Sequence, residues 1–259
     1  MKRICKYRIY FYVIILFAVI LLNTYSAYAQ DDMANELSKN ILVVLHPLRS
    51  ATLSAEVPSV VKKIYHEMGE KFNKNEVLID FDSEFYLADE KKAKALLNYA
   101  YTVYNTQKKL YDQKSVSDVE FAKAKADLYV AKANLSMASK KLSSCSIRAP
   151  YNGRVVKLLV KENEIVQQGQ PLIEIVDDRI MRAKFHVPFG FNGHLDIGQI
   201  LDVKIRGINK IFKCKITHIS PQIEPNTFTF QMFAEINNAD NILQGGMRGE
   251  ITLTQPKGK

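Results

Sequence analysis

Histidine, cysteine and methionine are the residues in this chain that could hold a metal; cysteine, serine or lysine could act as a nucleophile. The five histidines, His46, His66, His186, His194 and His218, are scattered, with no metal-ligand pair on a helix and no cysteine spacing suited to zinc. The seven methionines do not cluster, so they give no support to a metal-efflux site. Past the first thirty residues only Cys145 and Cys214 remain. An oxidising compartment would permit a bridge, but nothing in the sequence brings the two within the roughly 6 Å between Cα atoms that one needs. Both read as buried small hydrophobes. There is no phosphate-binding loop and no nucleophile beside an obvious base. These residues carry no enzyme chemistry, no cofactor site and no metal site.

A different set of residues is placed by a rule. Residues 68–78, MGEKFNKNEVL, are echoed 94 positions later by residues 162–172, ENEIVQQGQPL. At that offset Val61 aligns with Val155, Lys63 with Lys157, Glu70 with Glu164, Leu78 with Leu172 and Ile79 with Ile173. Gly69 meets Asn163 and Asn75 meets Gly169, so each copy puts Gly or Asn at the same two places. Those residue types enter the left-handed backbone region at least cost, which tight turns between strands require. Each copy is therefore expected to be short strands joined by two tight turns. A segment of this size cannot bury an apolar face alone, so the copies should pack on each other as a small β-sandwich.

The elements between and around the copies follow from composition. From Ser83 to Ser144 there is no Pro and no Gly in 62 residues, and Ala, Lys, Leu and Tyr dominate, which is helical composition. One seam reads Tyr86, Asp89, Ala93, Leu96, Ala100, Val103, Gln107, Leu110. A second reads Ser117, Phe121, Ala124, Leu128, Ala131, Leu135, Ala138, Leu142. Two seams of equal length predict an antiparallel coiled-coil hairpin. Ser117 with Glu120 forms a capping box, flanked by Val116 and Phe121 as a hydrophobic staple, so the second helix should start at Ser117. Helices of about 28 residues would reach roughly 40 Å. Asp89 and Gln107 interrupt the first seam as register-setting or solvated positions.

Beyond Asp178 apolar residues alternate. Met181, Ala183, Phe185 and Val187 share one strand face, and Phe228, Phe230, Met232, Ala234 and Ile236 another. Turn signals at Asp196-Ile197-Gly198, Arg206-Gly207, Ser220-Pro221, Glu224-Pro225-Asn226, Asn237-Asn238 and Gly245-Gly246 divide residues 178–255 into about six strands, suiting a small antiparallel barrel. Pro256–Lys259 reads as a disordered end.

The start of the chain is a targeting segment. Lys2, Arg3, Lys6 and Arg8 precede the apolar run Ile9 to Leu22, and Ala27-Tyr28-Ala29 offers a small-x-small cleavage site. A run of 14 is short of the roughly 20 residues that span a bilayer, so cleavage after Ala29 is expected, with an uncleaved anchor as the rival reading. Cys5 lies before the apolar run and cannot be the cysteine lipidated after a lipoprotein signal. Removing the four positive charges of the leader lowers the net charge from +9 to +5. The lysines are spread, and an exported protein of this kind is no nucleic-acid partner.

An echo split by a helical hairpin and followed by a β-domain resembles the HlyD-type membrane fusion proteins, the periplasmic adaptor subunits of efflux and secretion systems. The match is carried by Ala51-Thr-Leu-Ser-Ala-Glu-Val57, Cys145-Ser-Ile-Arg-Ala-Pro-Tyr-Asn-Gly153, Ile219-Ser-Pro-Gln-Ile-Glu-Pro225 and Leu243-Gln-Gly-Gly-Met247, and covers about residues 50–255. The resemblance implies an α+β multidomain fold: a split lipoyl-like (barrel-sandwich hybrid) domain at 50–82 plus 145–177, a coiled-coil hairpin at 83–144, and a β-barrel at 178–255.

It further implies a non-enzymatic adaptor at the inner membrane. The adaptor would link an RND or ABC transporter to an outer-membrane channel as a homo-oligomeric ring, for instance a hexamer. In RND adaptors an Arg, Leu, Ser motif at the hairpin tip is tied to channel docking. Leu110 and Ser117 sit at that spacing here, but Thr106 stands in the Arg position, which leaves docking strength and the choice of channel open. The chain stops soon after the barrel, so a membrane-proximal domain is expected to be reduced or absent. Two other readings fit the sequence less well: an exported structural coiled-coil protein without a transporter, and a lipoyl or biotinyl carrier. The carrier would need an attachment lysine on the hairpin that the coiled coil replaces.

Overall fold

The computed structural model describes residues 38–254. The expected leader, residues 1–29, and the tail Pro256–Lys259 lie outside the described residues. Two compact units divide the rest, residues 48–178 and residues 38–47 with 179–254.

The unit of residues 48–178 takes the end of β1 (Ser38–Ser54), then β2 (Ser59–Ile64), β3 (Lys71–Phe72), β4 (Val77–Phe81), α1 (Glu84–Asp112) and α2 (Asp118–Ser143). It continues with β5 (Ser146–Arg148), β6 (Gly153–Leu158), β7 (Ile165–Val166) and the first part of β8 (Pro171–Pro188). One sheet runs β5-β4-β2-β7, while β3, β6 and β8 are neighbours in another.

The echo in the sequence is an echo in register. Strand β2 pairs with β4 through Val61↔Phe81, Lys63↔Asp80 and Ile64↔Ile79. Strand β6 pairs with β8 through Val155↔Ile175, Lys157↔Glu174 and Leu158↔Ile173, the same pairs moved by 94, with the irregularity at the same place. The short strands then cross over: β7 of the second copy pairs with β2 of the first, and β3 of the first with β6 of the second. The core is made of matched positions, Val61 with Val155, Phe72 with Val166, Leu78 with Leu172, Ile79 with Ile173 and Phe81 with Ile175, all buried. Burying each such side chain contributes about 1.5–3 kcal/mol, and half of each pair comes from the other copy, so neither half has a core alone.

Between the copies stand the two helices. α1 has 29 residues and α2 has 26, which at 1.5 Å per residue makes each roughly 40 Å long. They pack along each other through small residues, with Ala93, Ala100, Ala124, Ala131 and Ala138 buried together with Leu128. The second seam is the one read from sequence. The first is corrected: Leu97 and Tyr104 pack against Ala100, Leu128 and Ala131, whereas Leu96 is 52% exposed. Glu90 takes the place given to Asp89, accepting a hydrogen bond from Ser139 Oγ at 2.6 Å. The spacing from Ala93 runs four then three, to Leu97 and Ala100, instead of three then four. Adjacent leucines made either order readable, and tilting by one residue turns the seam about 100°.

In the unit of residues 38–47 with 179–254, β1 is followed around the sheet by β12 (Arg248–Thr254), β9 (Ile200–Ile205), β10 (Lys210–Glu224), β11 (Thr229–Asn237) and β8, and β1 and β8 pair as well. The pairings β1–β12, β12–β9, β9–β10, β10–β11 and β11–β8 are antiparallel. Met181, Ala183, Phe185 and Val187 of β8 and Phe230, Met232, Ala234 and Ile236 of β11 face a buried core with Val43, Leu45, Val203, Ile205, Cys214 and Ile216.

Three sequence expectations change here. Residues 178–255 supply five strands, and the sixth is β1, from before the first copy. Ser220-Pro221 is no turn, because β10 runs through it with a register shift between Ile219 and Ile223. Phe228 is 71% exposed because it occupies the turn before β11 at φ 51° and so falls off the strand alternation.

Candidate functional site

The chain's chemistry-bearing groups stay apart in the fold. Among the described residues no group of three or more His, Cys, Asp and Glu side chains could hold a metal ion. Cys145 and Cys214 are both buried and unbridged. Burial pushes the Cys145 thiol up, with Asp82 and Asp80 adding to it, and burial pushes Cys214 up to about 11. Both thiols are held in the neutral, unreactive form. His46, His186, His194 and His218 are exposed. His66 lies between two carboxylates, Nε2 3.3 Å from Glu76 and Nδ1 3.8 Å from Glu70, with its ring edge-on to Phe72.

The four repeated turn positions all adopt left-handed backbone: Gly69 at φ 89°, Asn75 at 68°, Asn163 at 67° and Gly169 at 85°. Around them the two copies clasp each other. The Gly69 N–H donates to Val155 O and the Asn163 N–H to Val61 O, each at 2.8 Å. Likewise Asn75 donates to Ala149 O and Gly169 to Ala55 O, again at 2.8 Å.

The residue after each turn position does more than the sequence reading allowed. Glu70 Oε2 accepts the Glu67 N–H at 2.9 Å, Glu76 Oε2 the Asn73 N–H at 2.7 Å, Glu164 Oε2 the Lys161 N–H at 3.0 Å and Gln170 Oε1 the Gln167 N–H at 3.0 Å. In the other unit, Gln199 Oε1 accepts the Asp196 N–H at 3.1 Å beside Gly198 at φ 95°. A Gly or Asn followed by Glu or Gln is thus one device used five times. The side chain reaches back three residues and satisfies the free donor of the turn. The signal was in the sequence as G-E, N-E, N-E, G-Q and G-Q.

At the far end of the helices the turn is closed from both sides. Lys114 at φ 58° ends α1: its N–H donates to Tyr111 O and the Ser115 N–H to Leu110 O, both at 2.8 Å, a Schellman closure. Ser117 caps α2, its Oγ accepting the Glu120 N–H at 3.2 Å while Glu120 Oε2 accepts the Ser117 N–H at 2.9 Å. Phe121 is stacked between Tyr111 and Tyr104, at ring distances of 4.7 and 5.7 Å. A hydrogen bond to Asp118 raises the Tyr111 hydroxyl above the ordinary tyrosine range, so Tyr111 ties α1 to the start of α2. The stack was not foreseen, since Tyr104 and Tyr111 lie one residue off the seam read from sequence.

Of the three tip residues, Leu110 is half-buried one turn before the closure and Ser117 is the cap. Thr106 is exposed, its hydroxyl donating back to Thr102 O at 3.0 Å. Gln107 sits in the seam with a buried Oε1 that has no hydrogen-bond partner.

The other end of the helices is fixed to the sheets. Tyr86 hydroxyl donates to Pro58 O at 2.7 Å. Glu56 accepts from Lys140 Nζ at 2.6 Å and Ser144 Oγ at 2.5 Å, and these two bonds hold its carboxyl below the ordinary range. The arrangement is a stiff arm with a locked tip and a bonded root.

Residues 49–177 match the family described as CzcB-like, barrel-sandwich hybrid domain. The nodulation protein NolF of Rhizobium meliloti (strain 1021) is 24% identical over 237 residues, covering 86% of this chain and 64% of that protein. The antibiotic efflux pump periplasmic linker protein ArpA of Pseudomonas putida is 28% identical over 122 residues, 47% of this chain and 33% of that one. The chain thus spans less than two thirds of the length of these curated relatives. Among solved structures, a MacA-MexA chimeric protein containing the Pseudomonas aeruginosa MexA α-hairpin domain matches with a TM-score of 0.73 at 23% identity, covering 85% of this chain and 81% of that one. That likeness is one of fold.

Proposed function

Because this chain belongs to the HlyD-type membrane fusion proteins, with a CzcB-like barrel-sandwich hybrid domain at residues 49–177, we infer that it is a periplasmic adaptor linking an inner-membrane transporter to an outer-membrane channel. In this reading the two helices form a coiled-coil hairpin, the strands of residues 38–47 and 179–254 form a small barrel, and copies assemble as a ring. The protein has no catalytic role and no cofactor. The transporter is of the RND or ABC class.

One observation carries the reading. A rigid helical arm of about 40 Å is inserted between two halves of one domain whose registers repeat at an offset of 94. An insertion closed by a capping box and a Schellman turn at its tip, and bonded through Glu56, Lys140 and Tyr86 at its root, holds a surface at a fixed distance. Thr106, Leu110 and Ser117 are the proposed docking residues at that tip, with Ser117 serving the cap as well. The positive-φ turns Gly69, Asn75, Asn163 and Gly169 support the domain.

The test is co-purification from membranes after crosslinking. The tagged chain is expected to bring down a transporter and an outer-membrane channel, and Leu110→Asp to lose the channel while keeping the transporter and the native circular dichroism. Recovery of neither membrane protein with the unaltered chain would instead favour the exported structural coiled-coil protein.

A further inference from the structure

The seam between the two helices repeats alanine at a spacing of seven, with Ala93 and Ala100 on α1 and Ala124, Ala131 and Ala138 on α2, all buried. The next place in that series on α1 is Gln107. It stands between Tyr104 and Tyr111, the two rings that bracket Phe121, and so lies at the tip end of the seam.

Neither role read from the sequence suits it. A polar residue sets register by pairing across a seam, and among the described residues Gln107 Oε1 has no hydrogen-bond partner. A solvated residue keeps its polar end in water, and this oxygen is buried. Register at this end is fixed by other means: the capping box of Ser117 and Glu120, the closure at Lys114 and the stack on Phe121. An amide enclosed without a partner weakens the hairpin relative to an apolar side chain of the same length, such as methionine. A local choice that costs stability with no gain inside the chain points to a gain outside it.

Its position says where. Val103 and Leu110, at i−4 and i+3, are its neighbours on the helix surface, and Thr106 adjoins it. Val103 and Leu110 are half-buried and Thr106 is exposed. Gln107 as a whole is half-buried, so rotation about its own side-chain bonds brings the amide out beside Leu110 without moving either helix.

We propose that Gln107 sets specificity at the docking tip: its amide turns outward on docking, and its carbonyl oxygen accepts a hydrogen bond from a neutral donor, a hydroxyl or amide N–H, on the outer-membrane channel. The inference rests on the adaptor reading and names the chemistry that the tip recognises. Val103, Thr106 and Leu110 carry no charge, which suits a neutral donor better than an ion. A channel lacking that donor would leave the acceptor buried and unpaired, which is how one such group discriminates between partners.

The test compares three variants of the full-length chain with the parent, by thermal unfolding and by crosslinking and co-purification from membranes. The channel is the protein whose recovery Leu110→Asp abolishes, and the transporter serves as internal standard. Gln107→Met and Gln107→Ala are expected to raise the unfolding midpoint, by about 3 °C for Met, yet to lower the channel-to-transporter ratio about two- to tenfold, the value of one neutral hydrogen bond. Gln107→Glu keeps an acceptor but encloses a charge, so it should lower the midpoint and retain the channel. Stability and capture thus move in opposite directions, which a merely structural residue would not produce.

A lower midpoint in both Gln107→Met and Gln107→Ala would overturn the proposal, because the amide would then have a partner within the hairpin. A parental ratio in Gln107→Met, with the channel still lost in Leu110→Asp, would overturn it while leaving the adaptor reading intact. If the parent recovers no channel, the adaptor reading fails and this inference fails with it.

Discussion

Gly153→Ala is expected to be among the most damaging single-methyl changes in the barrel-sandwich domain. Gly153 opens β6 opposite Phe72 of β3, where the two copies cross. A Cβ there would lie 2.1 Å from Val176 O, 3.0 Å from Val176 C and 3.2 Å from Phe72 Cζ. The nearest obstacle is backbone, so relief requires β6 and β8 to separate by about 1 Å, at the cost of ladder hydrogen bonds on one side and packing of Phe72 on the other. Overpacking of this kind costs about 3 kcal/mol.

Gly169 provides the contrast: its φ is +85° but nothing lies within 4 Å of its Cβ position. Gly169→Ala bears only the left-handed penalty of about 1–2 kcal/mol, reduced by up to about 1 kcal/mol because alanine restricts the unfolded chain. Calorimetric unfolding should therefore lower the midpoint of the 48–178 unit by roughly 10 °C for Gly153→Ala and by about 3 °C for Gly169→Ala. Equal shifts, or a larger one for Gly169→Ala, would refute the argument that close approach of backbone, and not dihedral preference, fixes position 153.

The turn latches make a sharper distinction than their exposure suggests. Glu164→Ala is expected to lower stability in urea by about 1 kcal/mol by freeing the Lys161 N–H, whereas Glu164→Gln keeps an acceptor and should stay within about 0.5 kcal/mol. Leu97→Asp is expected to cost about 2 kcal/mol or more of helix-pair stability, because it places a charge in the seam, while Leu96→Asp stays within about 0.5 kcal/mol; hydrogen exchange of α1 amides would read both. Glu56 has its carboxyl lowered from 4.5 by hydrogen bonds from Lys140 and Ser144. A lowered folded value means its contribution is present above about pH 4.5 and is lost as pH falls through the folded value. Stability measured from pH 6 down to pH 3 should fall less steeply in Glu56→Gln than in the parent.

What the sequence made legible was what short-range chemistry encodes. The pairing of Gly69 with Asn163 and of Asn75 with Gly169 exposed the repeat because few residue types enter left-handed backbone. Ser117 and Glu120 marked a helix start because the capping box closes within one turn. Long-range pairing left no such mark. Strand β1 joins β12 through Ile41↔Ile251 and Leu42↔Glu250, partners some 210 residues apart, and nothing local in SKNILVVLH announces it. The latching Glu70, Glu76, Glu164 and Gln170 looked like ordinary surface residues because their bond is to backbone, which a list of side chains does not display. Leu96 and Leu97 were indistinguishable by hydropathy, and the choice between them was made by the facing helix. The turn between the helices was legible as a place and less so in its packing: the stack of Tyr104, Phe121 and Tyr111 depends on that same facing.

The crossed pairing of β2 with β7 and β3 with β6 has a consequence for how the chain acquires its shape. Neither copy can complete its sheet until the other has been delivered, so the first copy must wait, unsheltered, while the intervening segment emerges. A flexible loop of that length would oppose closure by roughly 3–4 kcal/mol of entropy. Two helices zipping from a capped turn remove that obstacle, since their packing returns Ser144 to the neighbourhood of Ser83 and sets Phe81 N–H against Cys145 O at 2.8 Å. Helix pairing is local and fast, and sheet pairing between distant segments is slow. The helix pair between the two copies is therefore also the clasp that draws the two halves together while the chain folds.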